Sequence, residues 1–256
     1  MDIARVLNPL DWAALAVFVV SWLAYEPLLK AFAGGRGAIN TDMTIVRLAW
    51  MRTMAARENK FMDGQLLGHT LNSASFFASS NLILIAAAAG VLFGGETTFR
   101  SASSLMVLKT SSRLLFEAQI ALVVIALVRG LLSFIWSIRQ MNYCLAVIGA
   151  APETTDRDLQ KSYGEAASRL LNPALSSFNA GVRAYYFALA AAAWLFGGAS
   201  FIIATLAAIT LLFYRQRHSR ASRAVSEVRR LLESPQAQAA RASPAPGAPS
   251  SSASPL

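Results

Sequence analysis

An arginine inside an apolar run is costly unless protein surrounds it. Arg129 lies near the middle of the apolar block at residues 114–138, where insertion into a bilayer would cost at least about 2.5–3.5 kcal/mol. Such a residue is expected to face the interior of a helical bundle and to find a carboxylate. Glu117 is out of reach, about 18 Å along the helix and on a different side of it. Glu26, at the end of the first apolar block, is the better partner. A Glu26–Arg129 pair could serve an anion or proton path, or it could be a structural ion pair; a lone Arg129 could also snorkel to the surface. A second polar group gathers where apolar blocks end. Arg139, Gln140, Asn142 and Tyr143 follow one block, and Arg183, Tyr185 and Tyr186 open another. Both sets are expected at one membrane boundary, either framing a polar mouth that attracts an anion or anchoring the helices among headgroups. Lys109, Arg113 and Glu117 recur at spacing four, so they share a helix face, and are read as an anchor at the opposite boundary.

No catalytic constellation accompanies these groups. Asp63 and His69 are the nearest approach to an acid and a base, but six residues apart they face different sides of a helix. There is no Gly-rich phosphate loop after a strand, no Ser/His/Asp set and no pair of carboxylates on one face. His69, His218 and Cys144 are the only imidazole or thiol ligands, too few for a usual metal cluster. Cys144 has no partner for a disulfide. The expectation is a non-enzymatic protein with no catalytic residues, no cofactor and no metal.

The elements that must position these residues follow from composition. Of 256 residues, 55% are hydrophobic and only 14% charged, against about 25% charged in a soluble domain, and the apolar residues sit in blocks. A bilayer core of about 30 Å needs about 20 such residues in a helix. Blocks at residues 12–29, 76–93 and 114–138 qualify. The first is read as a retained span; Ala31, Phe32 and Ala33 imitate a signal-peptide cleavage site, but acidic residues at the start and Lys30 beside the site argue against it. A fourth block, residues 182–214, would stretch about 50 Å as one helix. Gly197 and Gly198 sit near its middle, where they favour a turn, so it is read as a hairpin of spans 178–196 and 199–214.

Charge placement tests that choice, because cytoplasmic loops are enriched in Lys and Arg. With four spans the loop cations divide 11 against 11, and with five they divide 18 against 4. The expected fold is therefore an all-α, polytopic membrane bundle of five spans, four being the alternative, with the N-terminus outside and the C-terminus in the cytoplasm. The membrane domain covers residues 1–230.

The connections carry helices of their own. Residues 40–72 have helical composition, Thr41 and Asp42 could cap the start, and Gly64 is a plausible break. Arg47, Arg52, Arg57 and Lys60 point in nearly four directions around such a helix, which suits a helix packed under the bundle better than one lying on the membrane surface. Residues 151–172 read as an ordinary soluble helix capped by Thr154 or Thr155. Residues 215–230 are the most basic stretch. No aromatics interleave to stack bases, so anionic lipid headgroups, not nucleic acid, are the expected partner. Residues 234–256, rich in Pro, Ala and Ser, cannot bury a core and are expected to be disordered. Small residues recur at spacing four at Ala86, Gly90 and Gly94 and at Ala184, Ala188 and Ala192, a pattern that lets helix backbones approach closely.

Four stretches in consistent order resemble the bacterial membrane proteins grouped as domain-of-unknown-function family 599. They are residues 50–84, containing Asp63-Gly64-Gln65-Leu66-Leu67 and Phe76-Phe77-Ala78-Ser79; residues 136–143 with 148–152; residues 181–190 with Trp194; and the basic exit at 214–217. Met141 departs from the family's pattern, which favours an aromatic there. The resemblance covers nearly everything from about residue 10 to 225 and implies an integral membrane protein of bacterial type, without implying an activity. Function is expected to be a structural or interaction role in the bacterial inner membrane. The alternative is a small oligomeric channel or transporter for an anion or small solute, and a homo-oligomer is compatible with either.

Overall fold

The computed structural model describes residues 7–32, 39–104, 112–217 and 219–235, apart from the side chains of Glu26 and of residues 29–32. Among these residues the chain is all helical. The elements are α1 (Pro9–Phe32), α2 (Ile39–Ala56), α3 (Phe61–Phe93), α4 (Gly95–Ser103), α5 (Arg113–Gly149), α6 (Arg157–Ala192), a short 3-10 turn (Ala193–Phe196), α7 (Gly198–Arg217) and α8 (Arg220–Glu233). Helices α3 and α5, and the segment starting at Gly198, are long and apolar enough to cross a membrane; the apolar part of α1, Pro9–Tyr25, is shorter. The expected stretches 12–29, 76–93, 114–138 and 199–214 each lie within one α-helix, whereas 178–196 runs from α6 into the 3-10 turn.

Local chemistry explains most of the helix ends. The Ser112 hydroxyl accepts the Leu115 N–H and starts α5. Asp156, not Thr154 or Thr155, caps α6 by accepting the N–H groups of Asp158 and Leu159. A carboxylate at a helix N-terminus satisfies free donors and opposes the dipole. Ser219 caps α8 in the same way. The paired glycines do reverse the chain: Gly197 has φ of +103°, a conformation a side chain rarely adopts, and α7 turns back against α6. Gly64, expected as a break, lies inside α3. The chain breaks at 57–60 instead, where Asn59 accepts the Phe61 N–H at 2.9 Å and Lys60 donates to the Arg57 carbonyl.

The largest departure from expectation is α6. The soluble helix and the following span are one helix of 36 residues, with Pro173 inside it. A proline removes one backbone hydrogen bond and crowds the preceding turn, but packing on both sides of it holds the helix together. Ser137 of α5 donates to the Ala174 carbonyl at 2.7 Å, one residue beyond the proline. Helices α5 and α6 run antiparallel along their length. Their approach is close enough that a side chain at Gly181 would strike the Phe134 ring. Of the two small-residue stripes, Ala184 and Ala188 are buried and Ala184 faces Gly130. The other stripe is turned away from the bundle, and a side chain at Gly90 would meet open space.

Two cores are stacked along α5 and α6. The first joins α1, α7, the start of α5 and the end of α6, and is filled by aromatics: Phe18 contacts Trp22, Phe187 and Phe201, and Trp194 stacks on Phe201. The second joins α2, the start of α3, the end of α5 and the start of α6 around Met51, Met54, Met141, Cys144 and Leu171. Unbranched, polarisable methionines suit the filling of such a junction between several helices.

Candidate functional site

The turn between α6 and α7 is clamped by buried polar groups. Asp11 accepts from the Trp194 indole N–H at 2.8 Å, and Gln119 donates to the Trp194 carbonyl at 3.1 Å. Asp11 also pairs with Asn8 through reciprocal backbone bonds. This fastens the start of α1 to the turn between α6 and α7. In the middle of the bundle Asn81 donates to the Leu127 carbonyl at 2.8 Å and Tyr185 to the Phe77 carbonyl at 3.0 Å. The Tyr185 ring lies among Phe77 and Phe134, so this tyrosine is a packing residue with its hydroxyl satisfied.

The expected polar mouth does not assemble. The pairing of Ser137 with Ala174 sets Arg139 opposite residue 172 on α6, roughly eleven residues from Arg183, a separation of about 16 Å along the axis. The cause is the continuity of α5 and α6, which carry these residues to different levels instead of ending together. Arg139 donates to the Tyr143 hydroxyl at 2.6 Å and lies over the same ring. Asn142 is exposed and Gln140 is buried. Arg183 instead stands over the Tyr25 ring at 5.6 Å. Near it Arg215 donates to the Tyr186 hydroxyl at 2.6 Å, and Tyr25 meets Phe213. These arginines and tyrosines form a belt at the level where α7 ends.

Arg129 does not face the interior. It is exposed, and it has no hydrogen-bond or ion-pair partner for its side chain among the described residues. The α5–α6 register places it level with Arg183, in the belt, because α5 extends to Gly149 and the block at 114–138 is not centred on the bundle. The side chain of Glu26, its expected partner, lies outside the described residues, as does Lys109. Arg113 and Glu117 do pair, at 2.6 Å, with Glu96 of α4 at 4.0 Å from Arg113.

Below the belt Arg47, Arg52, Arg57 and Lys60 of the first loop each find a separate partner. Arg47 is buried and reaches Asn172 at 3.4 Å. Arg52 bonds Glu165 at 2.5 Å, holding that carboxyl below its ordinary range, first through the hydrogen bond and then through the charge. Arg57 and the Trp50 indole both donate to Asp63 Oδ1, at 2.5 and 2.6 Å. Asp63 is fully buried and bonded away from exposed His69, so the two do not meet. The basic helix α8 does not lie free: Arg229 is 3.1 Å from Asp42 of α2, and Ser226 donates to the same carboxylate.

Sequence reading missed one cluster. Asn40, Thr44 and Arg47 on α2, and Asn172, Ser176 and Asn179 on α6, each recur at spacings of four and three, which puts each set on one helix face. The two stripes face one another across a cavity of about 260 Å³ beside Pro173. Asn179 donates to Asn40 at 3.0 Å. The repeated spacing of polar residues was visible in the sequence, but only the antiparallel packing of α2 on α6 gives it meaning. An open groove of about 550 Å³ lies next to Trp50, Arg57 and Leu66.

Among the described residues the protein is all helical, and three helices long and apolar enough to cross a membrane are compatible with a membrane protein. Residues 13–221 match the family described as Protein of unknown function, DUF599, and the chain belongs to that family. No curated relative and no solved structure matches it.

Proposed function

We propose that this is a non-enzymatic, five-span protein of the bacterial inner membrane whose aromatic bundle anchors a helical body on the cytoplasmic side for an interaction role. The observation that carries the reading is the Asp42–Arg229 contact at 3.1 Å. Segments in contact occupy the same face of a membrane, so the chain from α2 to α8 crosses an even number of times. Three crossings by α3, α5 and α7 alone would leave α2 and α8 on opposite faces. Counting the end of α6 as a crossing restores agreement, and α1 brings the total to five. The basic connections then share a face, which the Lys/Arg bias assigns to the cytoplasm. Arg215, Arg217 and Arg183 fall where the bundle meets that face, within reach of anionic headgroups.

A structural role fits the interior better than conduction does, since ring contacts among Phe18, Trp22, Phe187 and Phe201 fill the space a path would need. The topology is tested by single-cysteine labelling at Lys60→Cys and Arg220→Cys in oriented vesicles with an impermeant maleimide. Both sites are expected to react from the cytoplasmic side only. Labelling from opposite sides would overturn the five-span arrangement.

A further inference from the structure

The cavity between α2 and α6 holds a charge that the fold leaves poorly compensated. Arg47 is 8% exposed. One of its terminal nitrogens donates to the Asn172 side-chain Oδ1 at 3.4 Å, a long bond, and its Nε has no partner among the described residues. A guanidinium carries five donors in a fixed fork, and burying one without a counter-charge is strongly unfavourable. That cost is visible as a lowering of the Arg47 pKa, caused by burial. Among the described residues, those lining the cavity include no carboxylate. The nearest acid on the same helix, Asp42, is engaged by Arg229 and Ser226 of α8. The remaining polar groups of the walls include three amides, which can supply N–H donors around an anion, while the Thr44 hydroxyl donates to the Asn40 backbone carbonyl.

We propose that this cavity binds a phosphate-bearing anion, with the Arg47 guanidinium gripping the phosphate oxygens and Asn40, Asn172 and Asn179 donating around it. Arginine suits this task because its planar fork matches tetrahedral oxyanions bidentately. The Asn40–Asn179 end of the cavity points toward the belt of Arg183 and Arg215, and exposed Thr44 and Ser176 form the rim. That position gives the anion two sources. It is either the headgroup phosphate of a lipid at the cytoplasmic boundary or a small phosphate compound from solution.

The test is thermal unfolding of the full chain in a neutral detergent. One arm adds inorganic phosphate, against chloride at equal ionic strength. The other adds phosphatidylglycerol, against phosphatidylcholine, in mixed micelles. A probe that occupies the cavity at tenfold above its Kd is expected to raise the midpoint by about 3–5 °C. A response to both probes assigns the site to phosphate itself, and a response to the lipid alone assigns it to a headgroup. Arg47→Gln should abolish the response. Because that change touches a buried residue, Ser176→Phe is the second variant: it blocks the rim from an exposed position, and it should remove the response while leaving the midpoint without ligand unchanged. No response to either probe in the wild type would overturn the proposal, and so would a response that survives Ser176→Phe.

Discussion

Individual buried polar side chains in this protein act as fasteners, and they differ sharply in how much depends on them. Asp11 is buried, accepts the Trp194 indole N–H, and closes the start of α1. Removing one partner of a buried hydrogen bond strands the other, at about 1–3 kcal/mol. Asp11→Ala is therefore expected to lower the thermal midpoint in detergent by several degrees. Trp194→Phe, which strands the buried Asp11 carboxylate and shrinks a ring packed on Phe201, should cost at least as much. Arg129 gives the contrasting case. Sequence placed it at the heart of the membrane and gave it a carboxylate partner, whereas the structure sets it outward in the Arg/Tyr belt. Arg129→Gln should leave the midpoint within about 1 °C, the usual scale of a surface change. A large fall would return it to the interior and revive the pair with Glu26. What misled the sequence reading was the assumption that an apolar block is centred on the membrane; α5 runs on to Gly149, and only its register against α6 fixes the level of each residue.

At the scale of elements, two junctions decide the architecture. The first is the reversal at Gly197, where φ of +103° would cost a residue with a side chain roughly 1–2 kcal/mol. Gly197→Ala is expected to lower the midpoint measurably, and Gly95→Ala, at φ of +69°, should do so less because α4 packs little against the rest. The second is the docking of α8 onto α2 through Asp42. Asp42→Asn removes the charge that faces Arg229 and should free α8, so that trypsin cuts at Arg220 and Arg223 several-fold faster than in the wild type. Unchanged cleavage would mean that α8 is held by other contacts. The α2–α6 contact also carries a pH signature. The Glu165 carboxyl is held below its ordinary range by Arg52, so its contribution is complete above about pH 4.3, the unperturbed glutamate value, and fades as the pH falls through the lowered folded-state value. Glu165→Gln should remove that part of the acid-side decline in midpoint, and added salt should shrink it because the pair is partly exposed. The hairpin was legible because two glycines interrupt a block too long for one span. The unity of α6 was not, since Pro173 in a polar stretch looks like a boundary until the helices flanking it are known.

For the molecule as a whole, the sequence announced an all-helical membrane protein through block-wise hydropathy and lopsided cationic loops, both properties that survive without knowledge of packing. It did not announce that the loops would join into a second core, because Met51, Met54, Met141 and Leu171 come from distant segments and show no common period. That second core changes what the protein can be. Long helices α5 and α6 pass from the aromatic bundle into the methionine-lined body without a break. A channel would instead need a wet gap along this axis. The interior offers ring against ring: Phe134 against Phe77 and Phe178, Phe187 against Trp22, Trp194 against Phe201. The polar groups inside, Asn81 and Tyr185 among them, bond to backbone carbonyls rather than lining a passage. Purified protein in liposomes is therefore expected to pass chloride and protons no faster than empty vesicles, at any voltage short of breakdown. Flux above that background would implicate an assembly of several copies, with the path between chains. Phe77→Ala and Phe134→Ala decide between the two origins of any leak: if flux rises only in these variants, the path runs through the emptied bundle of one chain, and if the wild type already conducts, the interface between copies carries it.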